Sequence, residues 1–341
     1  MQNQHWTPKL EQLRQQAFRL EHRIVITDGD DERALNAIEK ISSGRETCSL
    51  HFILLGDETR IHRRLHSLPV SVTVRDPIQD PELTQFAELY RERCFRRGKL
   101  VPSLDEAVKR MSRAEYFGAA LVAIGQAEGM VGGSSIPTGH VLKAGLEVVG
   151  LHQESKLVSG AFIMMLPHSL PGGQDMLVFA DCAVVPDPNS EQLSAIALDA
   201  SKLAQIVAGL SPVVAFLSFS TKGSAEHLVL DKIRKSVEII RQRQPNLIVD
   251  GELQADAALI PDIANRKAPQ SLVRGQANVL IFPDLNAGNI GYKLVERLAN
   301  AKALGVILSG FAKPINDLSR GCSAEDIVDM VCVTALQAEK R

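Results

Sequence analysis

The chain has 341 residues, 45% of them hydrophobic and 23% charged, with a formal net charge of −2. That length holds about two domains with sizeable cores, and the near-neutral balance removes the electrostatic case for a nucleic-acid or anionic-membrane partner. The five cysteines are odd in number and form no C-x-x-C pair, which fits reduced thiols in a cytoplasmic protein better than a disulfide framework or a zinc site.

Residues 1–19 are polar and charged, lack the apolar centre of a signal peptide, and can form an amphipathic first helix. No apolar run approaches the roughly 18 residues of a membrane span. Short apolar runs then alternate with longer helical patterns. Strands are expected at 23–27, 51–55, 70–74, 120–124, 157–165, 176–180, 213–218, 247–249, 279–282 and 305–308. Helices are expected at 31–43, 81–97, 191–210, 225–242, 287–303 and 323–339. This rhythm predicts an α/β fold with parallel or mixed sheets. No linker rich in Pro or Ser divides the chain, so two domains must be joined by ordinary secondary structure. The expected division is residues 1–146 with 311–341, and residues 147–310 as an inserted domain.

Several loops carry chemistry. The acidic run at 28–32 lacks the spacing and closing Glu of a calcium loop and is expected to be a solvated turn capping the next helix. The nine histidines form no metal-binding spacing. Residues 129–140 combine glycines with the hydroxyls of Ser134, Ser135 and Thr138, and Lys143 follows in the next helix. That set suits phosphate, although it matches neither the P-loop nor the dinucleotide fingerprint. The acidic segment 250–256 is expected to run from loop into helix, with no assignable chemistry.

Residues 282–293 run from a strand into a helix with Gly288 and Gly291 at the junction. Those glycines either expose amides to an anion or allow close strand–helix packing. Tyr292 and Lys293 add a hydroxyl and a cation there, beside Asn289. The last loop, 316–323, brings a hydroxyl (Ser319), a guanidinium (Arg320) and a glycine (Gly321) to a strand-to-helix junction. In α/β proteins ligands collect at such junctions, and a guanidinium presents a planar fork to phosphate or carboxylate. Ser323 and Asp326 have capping-box spacing, so Asp326 either caps its helix or serves as a general base one turn beyond Arg320. Cys322 has no nearby histidine to make it a nucleophile.

Segments 26–33, 179–186, 217–224, 250–258, 282–293 and 316–323 together resemble the phosphate acetyltransferase (phosphotransacetylase) family, which includes phosphate butyryltransferases. The resemblance covers nearly the whole chain, and the short N-terminus and residues 141–146 look closest to the ethanolamine-utilisation type. It implies two α/β domains with a cleft between them, similar to isocitrate and isopropylmalate dehydrogenases, in a homodimer. It also implies reversible transfer of an acetyl group between CoA and phosphate, by direct thiolate attack in a ternary complex. CoA and acetyl phosphate or phosphate are then the partners, with no permanently bound cofactor, metal, nucleic acid or membrane.

Matched residue by residue, the family's terminal motif makes Asp326 the base and Ser319 and Arg320 the stabilisers of the transition state. The cation expected at the end of the helix before the glycine loop falls among Arg93, Arg96 and Arg97, with Arg97 favoured. Two positions depart from the pattern. Pro137-Thr138-Gly139 replaces the usual Ser-Thr-Ala, and Lys143 replaces an Arg, which keeps the charge and loses the fork. The alternatives are transfer of propionyl or butyryl groups, a catalytically impaired CoA- or phosphate-binding homologue, or a metal- and NAD(P)-dependent dehydrogenase of the same architecture.

Overall fold

The structure, a computed structural model, describes residues 7–43, 48–65 and 71–339. Its strands are β1 (Arg23–Ile26), β2 (His51–Leu55), β3 (Ser71–Arg75), β4 (Gly129–Gly132), β5 (Ser159–Met165), β6 (Met176–Ala180), β7 (Val213–Leu217), β8 (Ile248–Leu253), β9 (Val279–Ile281), β10 (Lys302–Ser309) and β11 (Ile315–Asp317). The chain forms two compact units, one of Gln12–Gln153 with the segment from Phe311 onward, the other of Glu154–Gly310 with the described residues up to Glu11. Among the described residues, no helix is long and apolar enough to cross a membrane.

The first unit holds a five-stranded sheet in the order β11-β4-β1-β2-β3, with every pair parallel. A parallel sheet is covered on both faces, and so its strands read as continuous apolar runs. All of β4 and Ile24–Ile26 of β1 are accordingly buried. The C-terminal helix, Ala324–Glu339, packs on β4 and is buried without a break from Ile327 to Gln337.

Polar groups inside that helix have partners. The Arg14 guanidinium donates to Asp329 Oδ1 from Nε at 2.8 Å and from Nη2 at 2.6 Å. Asn316 Nδ2 donates to Thr334 Oγ1 at 2.8 Å and to Gln337 Oε1 at 2.7 Å. The second contact set fixes β11 to the helix that follows it, and therefore fixes the loop between them.

Two expectations fail in this unit. Residues 120–124 belong to a helix, Ala114–Ile124, and the strand is β4, which the sequence reading took for loop. The helix is apolar on every side and buried from Glu115 to Val122. A short apolar run cannot by periodicity alone be told from a buried strand. Gly125, at φ 82°, ends it in the left-handed conformation that glycine adopts without a Cβ clash. The strand expected at 70–74 is β3, Ser71–Arg75; Val70 lies outside the described residues, as do residues 1–6 of the expected first helix, which spans Thr7–Phe18.

The second unit holds a six-stranded sheet in the order β10-β5-β6-β9-β7-β8, antiparallel at β10–β5 and β5–β6 and parallel elsewhere. Its core includes Phe162, Met164, Phe179, Leu217, Leu280 and Phe282. The acidic run at 250–256 is not loop at its start: Asp250 and Glu252 lie within β8 and are each 2% exposed. The helix expected at 287–303 is Leu285–Leu298, and β10 begins at Lys302. Asn300 at φ 55° makes the turn between them, a conformation asparagine tolerates better than most residues.

Candidate active site

In the first unit β11, β4 and β1 are parallel neighbours, so the loops leaving their C-terminal ends meet at one edge of the sheet. Backbone bonds continue the ladder into these loops: Thr27 N–H donates to Val131 C=O at 3.0 Å, and Leu318 N–H to Gly132 C=O at 2.7 Å.

Asp28, just past β1, is buried and organises the loop after β4. Its Oδ2 accepts Gly133 N–H at 3.0 Å and Ser134 N–H at 3.3 Å, and its Oδ1 accepts the Ser135 hydroxyl. Thr138 opens the next helix, Thr138–Ala144, and its hydroxyl donates to Asp317 Oδ2 at 2.5 Å. Ser134 is 2% exposed and its hydroxyl has no hydrogen-bond partner among the described residues. Lys143, in the same helix, is exposed and forms no ion pair among the described residues.

Arg33 joins the loops. Its Nη1 donates to the carbonyls of Arg320 at 2.8 Å and Cys322 at 3.3 Å, and its Nη2 donates to Ser134 C=O at 3.0 Å and to Asp31 Oδ2 at 2.7 Å. The hydrogen bonds that Arg33 donates to Asp31 raise its pKa above the ordinary value. Beyond this brace, Ser319 and Arg320 are exposed, and Ser319 Oγ accepts Gly321 N–H at 3.2 Å. No hydrogen bond or ion pair engages the Arg320 guanidinium among the described residues. Asp326 completes a capping box: its Oδ2 accepts Ser323 N–H and Oγ–H, both at 2.9 Å, while Ser323 Oγ accepts Asp326 N–H at 3.2 Å. The capping role anticipated from the spacing is therefore real.

Arg97 is exposed, and its Nη1 donates to the carbonyls of Leu146 at 2.7 Å and Glu147 at 3.0 Å, in a π-helical turn Gly145–Val149. Nearby Arg93 reaches Val149 C=O at 3.5 Å; burial, with Arg97 and Arg96 adding repulsion, lowers its pKa.

In the second unit Asn289, Tyr292 and Lys293 lie inside the helix Leu285–Leu298, which begins two residues before the expected start at 287. Asp284 caps this helix by accepting Ala287 N–H at 3.0 Å. Gly288 N–H donates to Asp284 C=O, and a Cβ on Gly288 would strike the carbonyl oxygen of Asp181. Gly288 thus serves close packing, one of the two readings left open, and does not present its amide to a ligand. Asn289 Nδ2 donates to Cys182 C=O at 3.1 Å, Tyr292 stacks on Phe162 at 4.0 Å between centroids, and Lys293 Nζ lies 5.1 Å from the Tyr292 ring. Among the described residues, no group of three or more His, Cys, Asp or Glu is arranged to hold a metal ion.

The sequence profile of phosphate acetyl/butaryl transferases matches residues 9–335. The chain belongs to this family. A phosphate acetyltransferase of Clostridium acetobutylicum is 43% identical over 319 residues, 93% of this chain and 95% of that protein. A EutD phosphotransacetylase from Staphylococcus aureus superposes with a TM-score of 0.85 at 35% identity, covering 97% of this chain and 98% of that one. A 4-hydroxythreonine-4-phosphate dehydrogenase from Klebsiella pneumoniae shares the fold alone, with a TM-score of 0.55 at 10% identity over 94% of this chain and all of that one (100%).

Within this transferase chain, sequence reasoning missed Asp28, Arg33 and Asp317. The run 28–32 was expected to be solvated, yet Asp28 is 8% exposed and holds loop amides. A usable signal was present: Asp28 lies just past the buried apolar run Ile24–Ile26, and strand ends in parallel sheets are where loops converge.

Proposed function

We propose that the protein is a phosphate acetyltransferase that moves an acetyl group reversibly between CoA and phosphate, acting in the cytoplasm as a homodimer. The observation that carries this reading is the exposed, unpartnered Arg320 guanidinium on a loop whose own carbonyl is braced by Arg33. A loop held in place before the substrate arrives leaves less reorganisation to make when charge develops beside it. The names of relatives such as the Clostridium acetobutylicum enzyme support the same choice of reaction.

In the proposed chemistry CoA and acetyl phosphate occupy the site together. Asp326 accepts the thiol proton, since a thiol of pKa about 8.5 is a weak nucleophile until deprotonated. The thiolate sulfur bonds to the acetyl carbon, the carbon–oxygen bond to phosphate breaks, and phosphate leaves with the bonding electrons. Arg320 and Ser319 stabilise the charge gathering on the carbonyl oxygen and the departing phosphate. Ser134, Ser135, Thr138 and Lys143 are proposed as substrate contacts, with Arg97, Asn289, Tyr292 and Lys293 as further ones. The catalytic loop then belongs to the proposed domain of residues 1–146 and 311–341, with residues 147–310 inserted.

The test is phosphate-dependent release of CoA thiol from acetyl-, propionyl- and butyryl-CoA, ranked by kcat/KM. The proposal expects acetyl-CoA to lead. Phosphate-independent or absent cleavage overturns the activity, and a lead for butyryl-CoA overturns the acyl preference.

A further inference from the structure

Two buried carboxylates flank Gly133, at the turn of the loop after β4. Asp28 accepts the Gly133 amide at 3.0 Å. Asp317 lies so close that a Cβ added to Gly133, which has φ 100°, would strike its Oδ1. Asp317 is 2% exposed; its Oδ2 accepts the Thr138 hydroxyl, while its Oδ1 is buried without a hydrogen-bond partner among the described residues. Asp317 also ends β11, one residue before Leu318, whose amide bonds Gly132. It therefore touches the loop of Ser134 and Thr138 and leads directly into the loop of Ser319 and Arg320.

We propose that Asp317 is a positioning residue for the transfer reaction, whose ionised carboxylate holds Thr138 and so sets the glycine loop against the Ser319–Arg320 loop. The inference rests on the acetyltransferase reading above. An ionised acceptor binds a hydroxyl more strongly than a neutral acid does. The charge is costly where it lies. Burial pushes the Asp317 pKa up to about 6, the Thr138 hydroxyl pulling it down and the Asp28 charge adding to the rise. The groups facing Asp317 offer no compensating cation. Asp28 from β1 is an anion, and the loops after β4 and β11 bring Gly133, Ser134, Thr138 and Leu318. Arg33, the nearby cation, is paired with Asp31. The brace on Thr138 thus weakens as pH falls through about 6.

Two variants and two readouts test this. In the wild-type enzyme, kcat/KM for phosphate-dependent acetyl-CoA cleavage is expected to fall on the acid side with a midpoint near 6. Asp317→Asn, which cannot ionise, should lose that limb between about pH 5 and 7. Thr138→Val removes the hydroxyl through which the carboxylate acts, and should likewise flatten the limb. The second readout needs no activity. An acid whose pKa rises on folding contributes stability that is complete below its unfolded value of about 3.9 and is lost as pH rises through the folded value. The melting temperature of Asp317→Asn should therefore gain on wild type from about pH 4 to pH 7. An active enzyme whose variants keep the wild-type limb overturns the positioning role. A melting difference that does not change with pH overturns the buried, ionisable Asp317. If no variant or wild type cleaves acetyl-CoA, the acetyltransferase reading fails and the positioning role falls with it, while the melting series still decides whether Asp317 titrates as described.

Discussion

The Arg33 guanidinium donates to the backbone carbonyl of Arg320 at 2.8 Å, across 287 residues of sequence. The same side chain reaches Cys322 and Ser134 carbonyls and the Asp31 carboxylate, so one cation braces the loops that follow β1, β4 and β11. It leaves the Arg320 side chain to the solvent.

Removing the brace should cost turnover without removing any proposed catalytic group. Arg33→Ala is expected to lower kcat by about ten- to fiftyfold, because small misplacements of reacting groups carry large rate penalties. Arg33→Lys should recover little, since an ammonium cannot serve three carbonyls and a carboxylate through a planar fork. Steady-state kinetics with a melting curve for each variant checks this; full activity in Arg33→Ala would refute the bracing role.

Arg320→Ala should be more severe, with kcat reduced about a hundredfold or more and the fold intact. The side chain is exposed and has no hydrogen bond or ion pair among the described residues, so its loss should leave the melting temperature unchanged. Near-normal turnover would remove Arg320 from the proposed mechanism.

What the sequence made legible follows from how local each signal is. The C-terminal loop could be read because Ser319, Arg320, Ser323 and Asp326 fall within one short stretch of sequence and a capping box has fixed spacing. The α/β rhythm survived because most strands and helices carry a clear period. The helix Ala114–Ile124 did not, since burial on all sides erases the period that separates helix from strand. Asp28 and Asp317 were invisible for another reason. Their partners lie 105 and 179 positions away in the chain, and only strand order brings them together.

Lys143 stands where the family resemblance leads one to expect an arginine, and it is exposed without an ion pair among the described residues. Lys143→Arg restores the planar fork at unchanged charge. If the position contacts phosphate groups, KM for phosphate or CoA should fall by about three- to tenfold with kcat little altered, because a bidentate bond replaces a point contact. Unchanged KM for both substrates would place Lys143 outside the binding surface.

Glu252 tests the second unit independently of catalysis. It is 2% exposed, and its carboxylate accepts Arg234 Nε at 2.9 Å, Arg234 Nη2 at 3.1 Å, Gly223 N–H at 2.7 Å and the Ser220 hydroxyl at 3.0 Å. Burial alone would raise its pKa, but Arg234, the Gly223 amide and the Ser220 hydroxyl together lower it to about 2. The sign of the pH effect follows. The ionised form is favoured by folding, so the contribution is complete above the unfolded value of about 4.3 and is lost as pH falls towards the folded one. Glu252→Gln should melt lower than wild type at neutral pH by about 3–8 °C, because it unpairs Arg234 and weakens the tie between the 220–224 turn and β8. That deficit should shrink between about pH 4.5 and pH 2, where wild type loses the same contribution. Melting curves of the two proteins across this range decide the matter: a deficit that stays constant with pH would show that Glu252 is not the ionised anchor of the turn.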